Sequence, residues 1–228
     1  MSQTVLITGA KGGLGAHVTR AFLAAGAAVT GSSRSIDDSE FPSQRFAGIP
    51  ADLTKAEDAS RLVAAAIQRF GPIDVLVHVA GGFAYGGPIH ETSDAVWQQM
   101  VDLNASAAFY ILRAAIPHMR QQRKGRIVAI GSRAGVEPQA NIAAYAASKA
   151  ALVSLVRTAA LENRDLGITA NVILPGTIDT EANRKSDPHA DRSKWVSPDR
   201  IADLVLFLAS EAAAQITGAA IPFYGAGL

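Results

Sequence analysis

The feature that most restricts what this chain can fold into lies at its start. Thr4-Val5-Leu6-Ile7-Thr8 is a short apolar run that stops at Gly9-Ala10-Lys11-Gly12-Gly13-Leu14-Gly15. A helical pattern follows from Leu14 to Ala25 and ends at Gly26, and Ala27 to Gly31 reads as a second strand. An apolar run without alternation is what a parallel strand buried on both faces requires. Two parallel strands joined through a helix then demand helices on both faces of the sheet. The glycines add a second restriction, because a strand-to-helix turn needs them where φ is positive or where backbone must approach a ligand.

The rest of the chain keeps the alternation. Ser32 to Gln44 is polar and irregular, and a third strand spans Phe46 to Ile49. The helix from Lys55 to Phe70 ends at Gly71-Pro72, and Ile73 to Val79 is a fourth strand that runs into a glycine-rich loop reaching Glu91. Ser93 opens a long helix in which Pro117 predicts a kink or a stop. Arg126 to Ile130 is strand five, an alanine-rich helix containing Tyr145 runs to Leu166, and Ile168 to Leu174 is strand six. Residues 175–196 form a polar, irregular connection, long enough to be a functional or mobile loop. Ser197-Pro198-Asp199 has the N-cap and N1 residues of a helix start. An apolar strand from Ala220 to Tyr224 closes the series. With no repeat and no linker, the expectation is one α/β domain: a three-layer, doubly wound parallel sheet.

Composition excludes several classes of function. A net charge of +1 gives no basic surplus for nucleic acid or an anionic membrane. The absence of cysteine removes disulfides, thiolate catalysis and Cys-ligated zinc. The five histidines form no ligand-spaced pair, so no metal site is expected. No apolar run reaches membrane-spanning length, and the first residues lack the marks of a signal peptide, so the expected location is cytoplasmic. A hydrolase built on Ser132 is disfavoured, because Gly131-Ser132 is not a G-x-S-x-G elbow.

The glycine turn has the context of a dinucleotide site, strand before and helix after. The free N–H groups of the helix start would then meet a pyrophosphate. At the end of strand two an acid would favour NAD(H), whereas this chain has Ser32-Ser33-Arg34 and no acid before Asp37. Arg34 is suited to charge-assisted hydrogen bonds with a 2′-phosphate, and Lys11 adds positive charge. The reading is NADP(H) preferred with NAD(H) possible; the competing reading leaves Arg34 solvated and turns Asp37 or Asp38 inward. Further along, Tyr145 and Lys149 are four residues apart on a helix and share a face. A free phenol titrates near pH 10, and a fixed cation beside it favours the phenolate.

Taken together these residues resemble the short-chain dehydrogenase/reductase family over essentially the whole chain. The resemblance implies a Rossmann fold with Gly9, Lys11, Gly13, Leu14, Gly15, Ser33 and Arg34 at the cofactor. It puts Asp52-Leu53 at the adenine and Ala80-Gly81 in the loop after strand four. Asn104, Ser132, Tyr145 and Lys149 fall where that family has its catalytic tetrad, and Pro175-Gly176-Thr177 with Thr180 where it holds the nicotinamide carboxamide. One departure is His78-Val79-Ala80-Gly81 in place of Asn-Asn-Ala-Gly; Val79 removes an amide that normally braces the sheet, and His78 reads as a packed structural residue.

The resemblance further implies hydride transfer to or from a small carbonyl or secondary alcohol. Ser132 would polarise the oxygen and Tyr145 would carry the proton. Lys149 would lower the Tyr145 pKa and bind the nicotinamide ribose, and Asn104 would hold a water leading to solvent. Phe83, Glu137, Gln139 and Trp195 lie in segments expected to border the substrate. Val79 to Phe83 and Asp179 to Ser186 are locally similar to quinonoid dihydropteridine reductases, although Ser132 and Ser33-Arg34 depart from that branch. A non-catalytic, dinucleotide-sensing protein of the same fold is the alternative outside enzymes. The long Ala- and Leu-rich helices imply, by the same resemblance, a homodimer or homotetramer.

Overall fold

The computed structural model describes residues 3–226. Seven parallel strands form one sheet in the order β3-β2-β1-β4-β5-β6-β7. They are β1 (Thr4–Thr8), β2 (Ala28–Ser33), β3 (Phe46–Pro50), β4 (Val75–His78), β5 (Gly125–Ile130), β6 (Ile168–Pro175) and β7 (Ala220–Phe223). Strand order runs outward in both directions from the β1–β4 pair, so the crevice at the carboxyl ends of these two strands is the switch point where such sheets bind ligands. β2 is longer at its carboxyl end than the sequence implied and carries Ser32 and Ser33 within the sheet.

Helices cover both faces and divide the core in two. Against one face lie α2 (Ala56–Phe70), α4 (Ala107–Gln122) and α5 (Ala143–Asn163), whose Leu62, Ile111 and Val156 are fully buried with Leu6, Leu76 and Ile127 of the sheet. Against the other lie α1 (Gly13–Ala24) and α7 (Pro198–Ala209), with Val18, Phe22, Ile201 and Val205 packed on Val5, Val29 and Val75. α2 illustrates the local logic. Ala59, Leu62, Val63 and Ala66 form a single buried stripe at i, i+3, i+4 and i+7. Glu57 and Asp58 sit in its first turn and Arg69 in its last, matching the helix dipole, and Gly71 at φ +88° ends it.

Three elements differ from the sequence reading. The helix opened by Ser93 is interrupted far upstream of Pro117: α3 (Asp94–Met100) passes through a π-helical turn, Val101–Ser106, before α4 begins. Pro117 sits inside α4, which continues to Gln122 and ends at Arg123 with φ 52°. The 175–196 connection is not wholly irregular. It contains α6 (Glu181–Ser186), capped by Thr180, and a short turn at Arg192–Lys194. Its base is tied by a parallel bridge between Ile178 and Val196. Ser197 stands at the cap of α7 with Pro198 following, but its side chain makes no capping bond.

β7 is held by a residue that no sequence pattern marked. Asn171, fully buried on β6, donates to the Ile216 carbonyl at 2.7 Å and accepts from the Ala219 N–H at 3.1 Å. Replacing Asn171 by Leu leaves both part-buried backbone groups without that partner inside the protein, at a cost of about 1–2 kcal/mol each. Urea unfolding of Asn171→Leu is therefore expected to show a loss of about 2–4 kcal/mol; a loss below about 0.5 kcal/mol would contradict this role.

Candidate active site

A single cleft of about 1360 Å³ opens at the carboxyl ends of the strands. Its floor begins at the glycine turn. Gly9 has φ +72°, and a Cβ there would lie 2.7 Å from the Ala80 nitrogen. A Cβ on Gly15 would lie 1.9 Å from the Gly9 carbonyl oxygen, so the turn closes on itself only with glycine at both positions. Gly12 caps α1 without a side-chain acceptor, and the first turn of the helix carries no acid. The leading N–H groups and the positive end of the helix dipole are thus left for an anion. Lys11, Gly13 and Leu14 line the same wall, and Thr180 closes over Gly13 from the other side. These residues fit a dinucleotide pyrophosphate.

The far end of the cleft is made by β2 and the loop after β3. Ser33 and Arg34 line it, together with Asp52 and Leu53. The Ser33 hydroxyl accepts from the Lys11 N–H at 3.1 Å. Asp52 accepts from the Thr54 hydroxyl at 2.7 Å, which with burial opposing holds its carboxyl below the usual range. The acids that follow Arg34 turn away from the cleft. Asp37 accepts from the Ser39 N–H at 2.8 Å and Asp38 from the Gly48 N–H at 2.8 Å. Gly48 makes this possible, since a Cβ on it would lie 2.4 Å from the Asp37 carbonyl group. Lys11 differs from expectation: its ammonium is 2.7 Å from Glu40, an acid the sequence did not connect with it, so its charge is compensated.

The chemical centre is built from the ends of β4 and β5 and the first turns of α5. Ser132 follows β5 and lies close enough to the Tyr145 phenol to influence it, while its hydroxyl accepts from the Ala134 N–H at 3.2 Å. Lys149, one turn after Tyr145, is only 5% exposed and donates to the Ile130 carbonyl at 3.1 Å. Burial lowers its pKa to about 8. Burial also raises the Tyr145 pKa, and the neighbouring Ser132 hydroxyl opposes it only in part. The expected depression of the phenol by Lys149 is absent from this arrangement, in which the lysine's hydrogen bond goes to the Ile130 main chain.

Asn104 lies in the π-helical turn, fully buried. Its amide nitrogen donates to the Gly82 carbonyl at 3.0 Å and the Ser148 hydroxyl at 3.1 Å, and its oxygen accepts from the Gly82 N–H at 3.1 Å. Ser148 in turn donates to the Tyr145 carbonyl at 2.8 Å. The Asn104 side chain braces the Gly81-Gly82 loop and α5. Ser148 escaped sequence reasoning, although its place between Tyr145 and Lys149 was a signal. The loop after β4 is braced from below as well: Thr8 accepts from the Ala80 N–H at 3.4 Å and bonds His78 Nδ1 at 2.8 Å. His78 is buried, and burial, with Lys149 nearby, lowers its pKa to about 3. It packs as a neutral residue, and Val79, whose N–H reaches the Thr8 carbonyl at 3.1 Å, leaves the sheet paired without the missing amide.

Around the open end stand Ala80, Gly81, Pro175, Gly176 and Thr177, with Phe83, Gln139 and Trp195 on the outer wall. Glu137 is not on that wall. Its carboxylate is 2.6 Å from Arg133 Nε and also meets the Tyr224 hydroxyl. Leu103, Ile142 and Tyr224 line the cleft and had no sequence signal of their own.

Comparison with known proteins agrees with this geometry. Residues 3–191 match the short chain dehydrogenase family model. D-beta-hydroxybutyrate dehydrogenase of Rhizobium meliloti is 30% identical, covering 99% of this chain and 98% of that one. The 3-oxoacyl-[acyl-carrier-protein] reductase MabA of Mycobacterium tuberculosis is 34% identical over 99% of this chain and 92% of its own. The solved structure of ElxO with NADP bound superposes with a TM-score of 0.93 at 27% identity, over 100% of this chain and 99% of that one. No helix among the described residues is long and apolar enough to cross a membrane. With a glycine-closed dinucleotide cleft on a doubly wound parallel sheet, and relatives named as dehydrogenases and reductases over nearly its full length, the chain belongs to the short-chain dehydrogenase/reductase family of NAD(P)-dependent oxidoreductases.

Proposed function

We propose that this enzyme reduces a small carbonyl compound to a secondary alcohol with NADPH. The observation that carries the reading is the convergence of Ser132, Tyr145 and Lys149 at the floor of the dinucleotide cleft. Bound NADP(H) would supply hydride chemistry, and the protein's part is to hold, orient and protonate. The Ser132 hydroxyl points its hydrogen bond to the place where negative charge grows on the carbonyl oxygen. Tyr145 delivers the proton to that oxygen. A phenol is protonated at neutral pH, the state a donor requires, and burial favours that state further. Lys149 supplies positive charge at the cleft floor, where Gly81 lets it approach: a Cβ there would lie 3.1 Å from the ammonium. Asn104 and Ser148 keep the loop and the helix in register. Preference for the 2′-phosphate follows from Arg34 at the cleft, with Asp37 and Asp38 bonded elsewhere.

Three substitutions test these roles. Tyr145→Phe is expected to lower kcat by at least about 10³-fold while leaving the NADPH Kd within about twofold; turnover within tenfold of wild type, roughly, would remove the proton-donor assignment. Arg34→Ala is expected to weaken NADPH by about 1.5–3 kcal/mol and NADH by far less, and equal losses in fluorescence titrations would refute the phosphate role. Lys149 has a folded-state pKa of about 8, below the ~10.4 of an unfolded lysine. Near neutral pH the fold therefore bears the cost of a buried ammonium, and stability rises with pH between the two values. Lys149→Met is expected to abolish turnover yet stabilise the protein by about 1–2 kcal/mol near pH 7, net of the lost Ile130 hydrogen bond. That gain should vanish near pH 10.5; a variant no more stable than wild type near pH 7 would contradict it.

A further inference from the structure

The outer wall of the cleft carries a chemical selectivity that the catalytic centre does not explain. Phe83, in the loop after β4, is 62% exposed, yet its ring stands edge-on to Tyr145 with centroids 5.0 Å apart. A large ring so exposed, touching the proton donor and facing into the cleft, is an unfilled half of an apolar contact. Leu103, Ile142 and Trp195 extend the same wall. Its neutral polar groups include the Gln139 amide.

Charge argues in the same direction. Beyond Lys149, Arg133 lies next to Ser132, and its Nε is 2.6 Å from Glu137 while its guanidinium covers the Tyr224 ring at 4.8 Å. The 176–196 segment presents Asp187 and Asp191 to the cleft against Lys194 alone. With Arg133 and Glu137 cancelling, those three groups leave one negative charge in excess. An anionic group held at this outer end would meet that excess, since the Lys149 ammonium is bonded to the Ile130 carbonyl at the cleft floor.

Building on the reading that the enzyme reduces carbonyls, we infer that its substrate class is uncharged and cyclic: a flat alicyclic or aromatic ketone whose ring lies between Phe83 and Trp195 while its oxygen reaches Ser132 and Tyr145. Phe83 is the specificity-determining residue for that ring. This separates the chain from relatives named for hydroxybutyrate or for acyl-carrier-protein thioesters, whose substrates are acyclic.

The test is NADPH consumption by the full chain with β-tetralone, acetone and acetoacetate. The kcat/KM for β-tetralone is expected to exceed that for acetoacetate by at least about tenfold, and Phe83→Ala should lose about tenfold on β-tetralone, mainly through KM, but less than about threefold on acetone. Phe83→Tyr, which keeps the ring, should stay within about threefold of wild type on both. Acetoacetate turned over as well as β-tetralone, or equal losses for Phe83→Ala on ring and acyclic ketones, would overturn the inference while leaving carbonyl reduction intact. No consumption with any of the three, although NADPH binds, would overturn the carbonyl reading itself and this inference with it.

Discussion

The arrangement depends on keeping the Lys149 ammonium inside the protein. A buried cation is costly unless it is hydrogen-bonded and its surroundings are polar, and here each neighbouring element contributes to meeting that condition. β5 ends so that the Ile130 carbonyl faces the ammonium at 3.1 Å. The loop after β4 passes close by because Gly81 has no side chain. The π-helical turn delivers Asn104 into the gap between that loop and α5, where its oxygen would lie 2.7 Å from a Cβ on Gly81. A regular helix through Val101–Ser106 would carry Asn104 on a different angular path and shift the register of α4 behind it. The irregular turn is thus part of the same constraint as the buried lysine.

Much of this was legible from the chain alone, and for identifiable reasons. The parallel sheet announced itself because strands buried on both faces must be apolar without alternation, and β1, β4 and β5 are. The glycine turn was readable because its requirement is steric and local: no other residue fits at Gly9 or Gly15. What stayed hidden depends on contacts between distant segments. Lys11 meets Glu40 across the end of β2, and Asn171 reaches Ile216 and Ala219 across the β6–β7 edge. The π-helical turn was also missed, since α3 and α4 share one apolar pattern and the eye goes to Pro117, which α4 accommodates near its end.

The nucleotide end of the cleft shows how a single small residue decides an electrostatic outcome at a distance. Asp37 and Asp38 are close enough in sequence to Arg34 to occupy its surroundings. They do not, because the 37–38 backbone lies against Gly48 on β3, where its amide captures the Asp38 carboxylate. Any side chain at 48 would displace that segment and break the Asp38 hydrogen bond. The placement of these two acids relative to Arg34 is therefore set from the neighbouring strand, while Asp52 is the acid that faces Arg34 in the cleft.

The two halves of the site also differ in how firmly they are held. Ser132, Tyr145 and Lys149 sit just after a strand end and on a buried helix turn, with Ser148 linking Tyr145 to Asn104 through successive hydrogen bonds. The outer wall is assembled from loops: Phe83 from the segment after β4, Gln139 from the one after β5, and Trp195 from the 176–196 connection. These are joined by few bonds, among them Gly86 N–H to the Asn141 carbonyl at 3.1 Å and the Ile178–Val196 bridge. A rigid centre with a loop-built rim lets ring size and charge preference change by substitution at the rim without disturbing the buried lysine. On this physical ground the chemistry of such a chain can be read with less information than its substrate.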